Sequence, residues 1–518
     1  MDGLLQTALY PEPVPARSPR NALIQASALA IYAAWVIVIG QHHEPWFDET
    51  QAWVLARDTP LGSLFSHALR YEGTPGLWHA LLWLAARAGL PVAAMGWIAA
   101  ACAIGGAAVI VQRAPFPLPL RIGLLASYFP GYQYSVVARS YCLDLLLVPL
   151  AAMLFARRVE RPWRYALVIA LLANTNAFSF LAAGLLGLEL LVRLGLAQRA
   201  GQRGAGISYH ALGALALAGA GGLFALWTAW QPADNGYLAN TGPSVPVVSG
   251  VVFIANALFD RVTPWSDGAQ TGADGVAGLV LSLVLLGLIV RLVLAGRDRV
   301  LSVALIGALV VFADRVHSAA WHSGVLFMVI VLVVWTQWHN RVDLRTRQVL
   351  LAALALLIAA QGWQMVRSAL ADMNGAYAAG RPAAAALTAW RAQHPGARIA
   401  AYGAQSFELQ PWLPGNPYAN YHDGAPKPQF VRWVRDEAWH SMPTPRDWDS
   451  LLQSRPDAVV ASRQWLPLAV QRDPAGQGCR AGYRVVEIFP AAKYWRGISV
   501  DNSLILYERG ACATKPRL

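Results

Sequence analysis

Two adjacent carboxylates stand in the run His42-His43-Glu44-Pro45-Trp46-Phe47-Asp48-Glu49-Thr50-Gln51-Ala52-Trp53. A third acid, Glu72, follows in Arg70-Tyr71-Glu72-Gly73-Thr74-Pro75-Gly76-Leu77-Trp78. The first run comes directly after an apolar stretch, 22–40, so Asp48 and Glu49 lie close to a membrane surface. Carboxylates in such a place can act as a general base or hold a divalent cation. A plainer reading makes Asp48 the cap of a helix over 49–57, with Glu49 merely favouring its N-terminal dipole.

Few cations face these acids. Arg139, in Ala138-Arg139-Ser140-Tyr141, opens an apolar segment, where its guanidinium can hold a phosphate bidentately or snorkel beside Tyr132, Tyr134 and Tyr141. The short turn Asp314-Arg315-Val316-His317-Ser318-Ala319-Ala320-Trp321-His322 carries an arginine and two histidines. They suit phosphate; alternatively His317 and His322 join Glu72 around a divalent metal ion, or the turn is only a polar connector. His42-His43-Glu44 has metal-binding residue types, but adjacent residues seldom converge on one ion, which favours a solvated interface. Asp144 and Glu189 fall inside apolar segments, where carboxylates face a bundle interior. Asp144 can orient Arg139 or line the same cavity, and Glu189 has Arg193 four residues on.

The elements that must position these residues are set by composition. The chain has 518 residues, 56% hydrophobic and 14% charged, against about a quarter charged in ordinary globular proteins. That excludes disorder and a disulfide-rich scaffold, and predicts a polytopic α-helical membrane protein. Apolar runs at 22–40, 92–112, 122–137, 139–156, 164–180, 181–196, 210–230, 276–295, 300–315, 324–338 and 347–366 give about eleven spans. The stretch 76–90 reads as a helix at the outer interface, and 247–259 is ambiguous. Between Met1 and Met365 there is no lysine, and 17 arginines fall in one set of loops against 6 in the other. By the positive-inside rule the first set is cytoplasmic. The net charge of +12 therefore reflects orientation rather than a nucleic-acid partner. This predicts a cytoplasmic tail over 1–21, a multi-span domain over 22–366 with its first outer loop at 41–75, and an extracytoplasmic α/β domain over 367–518. In the last, strand-length runs at 399–402, 458–461, 483–488 and 503–507 alternate with helical stretches at 383–393 and 448–454. Cys479 and Cys512 share that domain and can pair in an oxidising compartment.

The first-loop pattern resembles the GT-C superfamily of integral membrane glycosyltransferases, which includes protein O-mannosyltransferases and lipid A aminoarabinose transferases. Asp48-Glu49 is similar to their acidic pair, Glu72 to the second acid, and Thr74-Pro75-Gly76-Leu77-Trp78 to the proline-led start of the next apolar segment. Thr74 and Gly76 depart from the His-Pro-Pro of many relatives. The resemblance implies an inverting transfer of a sugar from a polyprenyl-phosphate carrier to a hydroxyl acceptor, on the outer face of an inner (plasma) membrane. It implies catalytic roles for Asp48, Glu49 and Glu72. Arg139, Tyr141, Arg315, His317 and His322 are the expected partners of the donor phosphate. No cofactor is required beyond a possible divalent metal ion, and no phosphate loop of GxxxxGK[ST] type is present. Two rivals stand beside this reading: a transporter or flippase using the intramembrane acids, and a non-catalytic envelope assembly protein.

Overall fold

The fold is given by a computed structural model that describes residues 19–199, 209–236, 247–261, 272–316, 318–421, 427–435, 445–496 and 498–512. Seven helices among these are long and apolar enough to cross a membrane: Pro19–His42, Ala94–Arg113, Ala177–Gln198, Tyr209–Ala229, Ala273–Leu294, Ala320–Gln337 and Leu344–Asn374. Cys142–Phe155, Pro162–Ala173 and Val248–Ala257 are apolar but shorter. The protein is a multi-pass membrane protein, and helix length alone does not supply the expected eleven spans. The segment Ser323–Gln337 is apolar all round and buried at nearly every position, which places it at the bundle centre.

One expected span is not a continuous helix. The stretch 122–137 breaks after Leu118–Leu125, passes through a single wide turn at Phe129–Gln133, and runs on irregularly to Ala138. Pro130 cannot continue a helical hydrogen-bond ladder. Gly131 is closely covered, since a Cβ there would strike Met365. The whole stretch from Phe129 to Ala138 is buried, where irregular backbone at membrane depth is tolerated. The expected break at 180/181 falls instead at Asn174-Thr175-Asn176.

Ion pairs link the arginine-rich loops to one another. Arg158 and Arg193 both meet Glu189, at 2.6 and 2.9 Å, and both also pair with Asp298. Arg291 pairs with Asp343 at 2.6 Å. Glu189 thus has the expected Arg193 and a second partner, Arg158, from the turn after the helix Cys142–Phe155.

The four runs read as strands form β1 (Ile399–Tyr402), β2 (Ala458–Ser462), β3 (Tyr483–Phe489) and, completing the sheet from the far end, β6 (Leu504–Arg509). The order is β1-β2-β6-β3, with β1 and β2 parallel and the other pairs antiparallel. A separate hairpin of β4 (Ala492–Trp495) and β5 (Ile498–Asp501) was not expected from the sequence. Cys479 and Cys512 are bridged, with their Cα atoms 5.7 Å apart. The compositional boundary at 366/367 falls inside the continuous helix Leu344–Asn374, so the membrane bundle and the sheet domain share a rigid element.

The sheet domain is anchored by Arg496, which follows β4. Its buried guanidinium meets Asp260 at 2.8 Å and Gln364 at 3.1 Å, and also bonds the Asn256 carbonyl. Its backbone N–H donates to the Tyr128 hydroxyl at 3.0 Å. A buried arginine requires such partners, because an unpaired charge there costs several kcal/mol.

Candidate active site

The loop after the first long helix is a largely buried platform. Its helix Phe47–Asp58 buries almost every residue from Phe47 to Ala56. Gln51 holds the loop to the C-terminal domain by a reciprocal pair of 2.8 Å bonds with the backbone of Val431. The Phe47 N–H donates to the Glu408 carboxylate at 3.0 Å.

The adjacent acids face different surroundings. Glu49 is 1% exposed. One of its oxygens accepts the Ala138 N–H at 2.6 Å; the other accepts from the Trp46 N–H at 3.2 Å and meets His43 Nε2 at 3.0 Å. Glu49 therefore caps the helix, the role that the plainer sequence reading gave to Asp48. His43 is clamped on its other side by Asp372 at 2.8 Å, and the Tyr132 hydroxyl donates to the same oxygen of Asp372 at 3.0 Å. Burial opposes the His43 charge, but the flanking Glu49 and Asp372 carboxylates outweigh it and hold its pKa well above the ordinary histidine range. The solvated interface expected for His42-His43-Glu44 is thus wrong at His43, which joins three elements from the interior. The three side chains do diverge: His42 turns back to the Val38 carbonyl, and Glu44 lies 3.9 Å from Arg381.

Asp48 is 26% exposed and meets Arg139, 22% exposed, at 2.9 Å. The Arg139 guanidinium is walled by aromatic rings, with centroids of Tyr141, Trp321 and Trp46 at 5.3, 5.4 and 5.7 Å. Tyr141 stacks on Tyr134 at 5.2 Å, and the His322 ring lies 5.7 Å from Tyr141. His322 Nδ1 accepts the Ala319 N–H at 2.9 Å, which leaves Nε2 to carry the ring proton. The broken segment before Arg139 is what delivers Ala138 to Glu49 and Arg139 to Asp48.

Glu72 completes this side. It ends the helix Leu69–Glu72, and Gly73 turns the chain with φ 62°, a left-handed conformation that glycine adopts freely. Its Oε1 accepts from Gln51 at 2.8 Å and from the Trp433 indole at 3.1 Å. Burial, assisted by the Asp48 charge and opposed by those hydrogen bonds, pushes its pKa up to about 7. Asp48, Glu72 and Arg139 are therefore electrostatically coupled.

The other expected residues lie elsewhere. Arg315, 63% exposed, pairs with Asp314 at 3.1 Å, and among the described residues no contact ties it to Arg139. His317 lies outside the described residues. No group of three His, Cys, Asp or Glu among the described residues is arranged to hold a metal ion, and the expected His317/His322/Glu72 site lies partly outside them. Asp144 does not orient Arg139: its oxygens accept from Thr175 at 3.0 Å, Asn176 at 2.7 Å and Ser179 at 2.8 Å.

Sequence reasoning missed Lys493 on β4. Its ammonium lies over the Trp46 indole, 4.3 Å from the centroid, within electrostatic reach of Asp48 and Glu408. Burial draws its pKa below the ordinary lysine value against the pull of those two acids. Glu408 is itself pushed up to about 8 by burial, against the hydrogen bond from Asn502 and the Lys493 charge. Lysine's rarity in this chain was the available signal. Behind the Glu49–Ala138 contact, a cavity of about 560 Å³ opens between the helices Pro19–His42 and Ala94–Arg113.

No family model and no curated protein matches this sequence. Among solved structures the chain is similar to the arabinofuranosyltransferase AftD from Mycobacteria, seen by cryo-electron microscopy, at 14% identity and a TM-score of 0.45. The similarity covers 93% of this chain, which spans 40% of the length of that one.

Proposed function

We propose that this protein is a GT-C-type glycosyltransferase that moves a sugar from a polyprenyl-phosphate carrier to a hydroxyl acceptor at the outer face of the inner (plasma) membrane. One observation carries the reading: Asp48, a partly exposed carboxylate, meets Arg139 within an aromatic-walled recess beside an apolar bundle. A base and an anion-binding group side by side are what transfer from a lipid phosphate needs. The arginine distribution supports the outer-face location.

In this reading Asp48 takes the proton of the acceptor hydroxyl. The acceptor oxygen forms its bond to the anomeric carbon, and the bond from that carbon to the phosphate oxygen breaks. The electron pair leaves on the lipid phosphate, which Arg139 receives. A single displacement of this kind inverts the anomeric centre. Glu72, titrating near neutrality, positions the acceptor. Glu49 builds the site rather than reacting in it, because both of its oxygens are engaged. Tyr141 and His322 shape the wall behind Arg139.

The test is release of labelled sugar from polyprenyl-phosphate donors by the protein in proteoliposomes. Headgroup loss that requires Asp48 supports the reading. Uptake of a soluble solute without sugar transfer would replace it with a transporter.

A further inference from the structure

We propose that Lys493, delivered by the C-terminal domain, is the second cation of the donor site and grips the lipid phosphate together with Arg139. The inference rests on the glycosyltransferase reading and extends it to a residue outside the membrane bundle. The two cations share one wall: Trp46 has the Lys493 ammonium at 4.3 Å and the Arg139 guanidinium at 5.7 Å from its ring centroid. They are close enough to repel each other. Asp48 opposes both charges and Glu72 acts on Arg139, while burial pushes the Glu408 carboxyl up to about 8, which lessens its opposition to Lys493. The recess thus gathers two cations beside the partly exposed Asp48–Arg139 pair, a setting that suits a lipid phosphate, singly charged in the donor diester and more highly charged in the leaving monoester.

Lys493 is held in this position by its neighbours. Its strand pairs Lys493 with Val500, and the Ala492 N–H donates to the Ala376 carbonyl at 2.8 Å. Three residues on, Arg496 is locked into the bundle by Asp260 and Gln364. The hairpin brings one of the chain's three lysines to the first-loop acids. When the donor phosphate occupies both cations, Arg139 exchanges Asp48 for phosphate, and the Asp48 carboxylate is freed to take the acceptor proton. Donor binding and readiness of the base are thereby coupled, and the C-terminal domain becomes part of the donor site.

The test measures polyprenyl phosphate binding without turnover, using the full chain in phosphatidylcholine nanodiscs. Lys493→Gln is expected to weaken binding about tenfold or more, and Lys493→Arg to restore most of it. Unchanged affinity in Lys493→Gln overturns the proposal. A second measurement needs no variant: polyprenyl phosphate should protect Lys493 of the wild-type protein from acylation by an amine-reactive reagent. Equal acylation with and without the lipid overturns the proposal, and equal protection by inorganic phosphate overturns the lipid assignment. Lys493-dependent binding by a protein that transfers no sugar would keep the clamp and remove the transferase reading. Sugar transfer with Lys493-independent binding would do the reverse.

Discussion

Asp48 and Glu49 are neighbours in the chain and opposites in the fold. On the Glu49 side, a buried histidine sits between two carboxylates, and the His43–Glu49–Asp372 bridge ties the end of the first span, the loop platform and the helix Leu344–Asn374 together. On the Asp48 side, a partly exposed ion pair lies among aromatic rings, with Lys493 and Glu72 near it. The difference shows how one short acidic motif can serve two ends. One carboxylate has every oxygen committed and fixes the geometry, so its neighbour can keep a looser pairing open to exchange.

The comparison breaks first at Glu49. Glu49→Ala strips a carboxylate from the buried His43 and leaves the Trp46 and Ala138 amides without their acceptor. The expected loss is about 3–5 kcal/mol, read as collapse of the melting transition or failure to purify as a monodisperse protein. A melting curve like that of the wild type would show that the buried bridge is dispensable.

Glu72 sharpens the contrast through pH. Its folded pKa, about 7, lies above the ordinary glutamate value. The stability it contributes is therefore fully present below about pH 4.5 and lost as pH rises to 7. Glu72→Gln should match the wild type in acid and exceed it by about 1–3 kcal/mol above neutrality. The same variant should lose the limb of the activity profile that falls near pH 7. Denaturation at pH 5 and pH 8 provides the check, and a constant difference between the two proteins would refute the assignment.

The smallest effect belongs to the Asp48–Arg139 pair. A double-substitution cycle through Asp48→Asn and Arg139→Gln should give a coupling of about 1 kcal/mol or less in stability, because the pair is partly solvated. A coupling of several kcal/mol would make it a structural bridge like the one beside it.

Much of this arrangement was legible in the chain. Apolar run length gave the long apolar helices but neither the break in 122–137 nor a span count, and the strand-like runs of the tail gave β1, β2, β3 and β6. Asp48, Glu72, Arg139, Tyr141 and His322 stood out because charged or polar groups are rare beside apolar segments. What could not be read was which side of a turn each residue takes. Asp48 and Glu49 are equivalent as letters, and only the rotation of the helix Phe47–Asp58 separates them. The broken span was partly signalled by Pro130-Gly131 within an apolar run. Lys493 and Asp372 escaped notice for another reason, because their positions depend on contacts across more than 300 residues of chain. No local pattern reports contacts of that length.

The most direct test of the central claim is turnover and melting of Asp48→Asn in one proteoliposome preparation, with labelled polyprenyl-phosphate sugars as donors. The account predicts a fall in transfer of at least about a hundredfold, with the melting transition within about 1 kcal/mol of the wild type. Undiminished transfer, or a collapse of stability like that expected for Glu49→Ala, would contradict it.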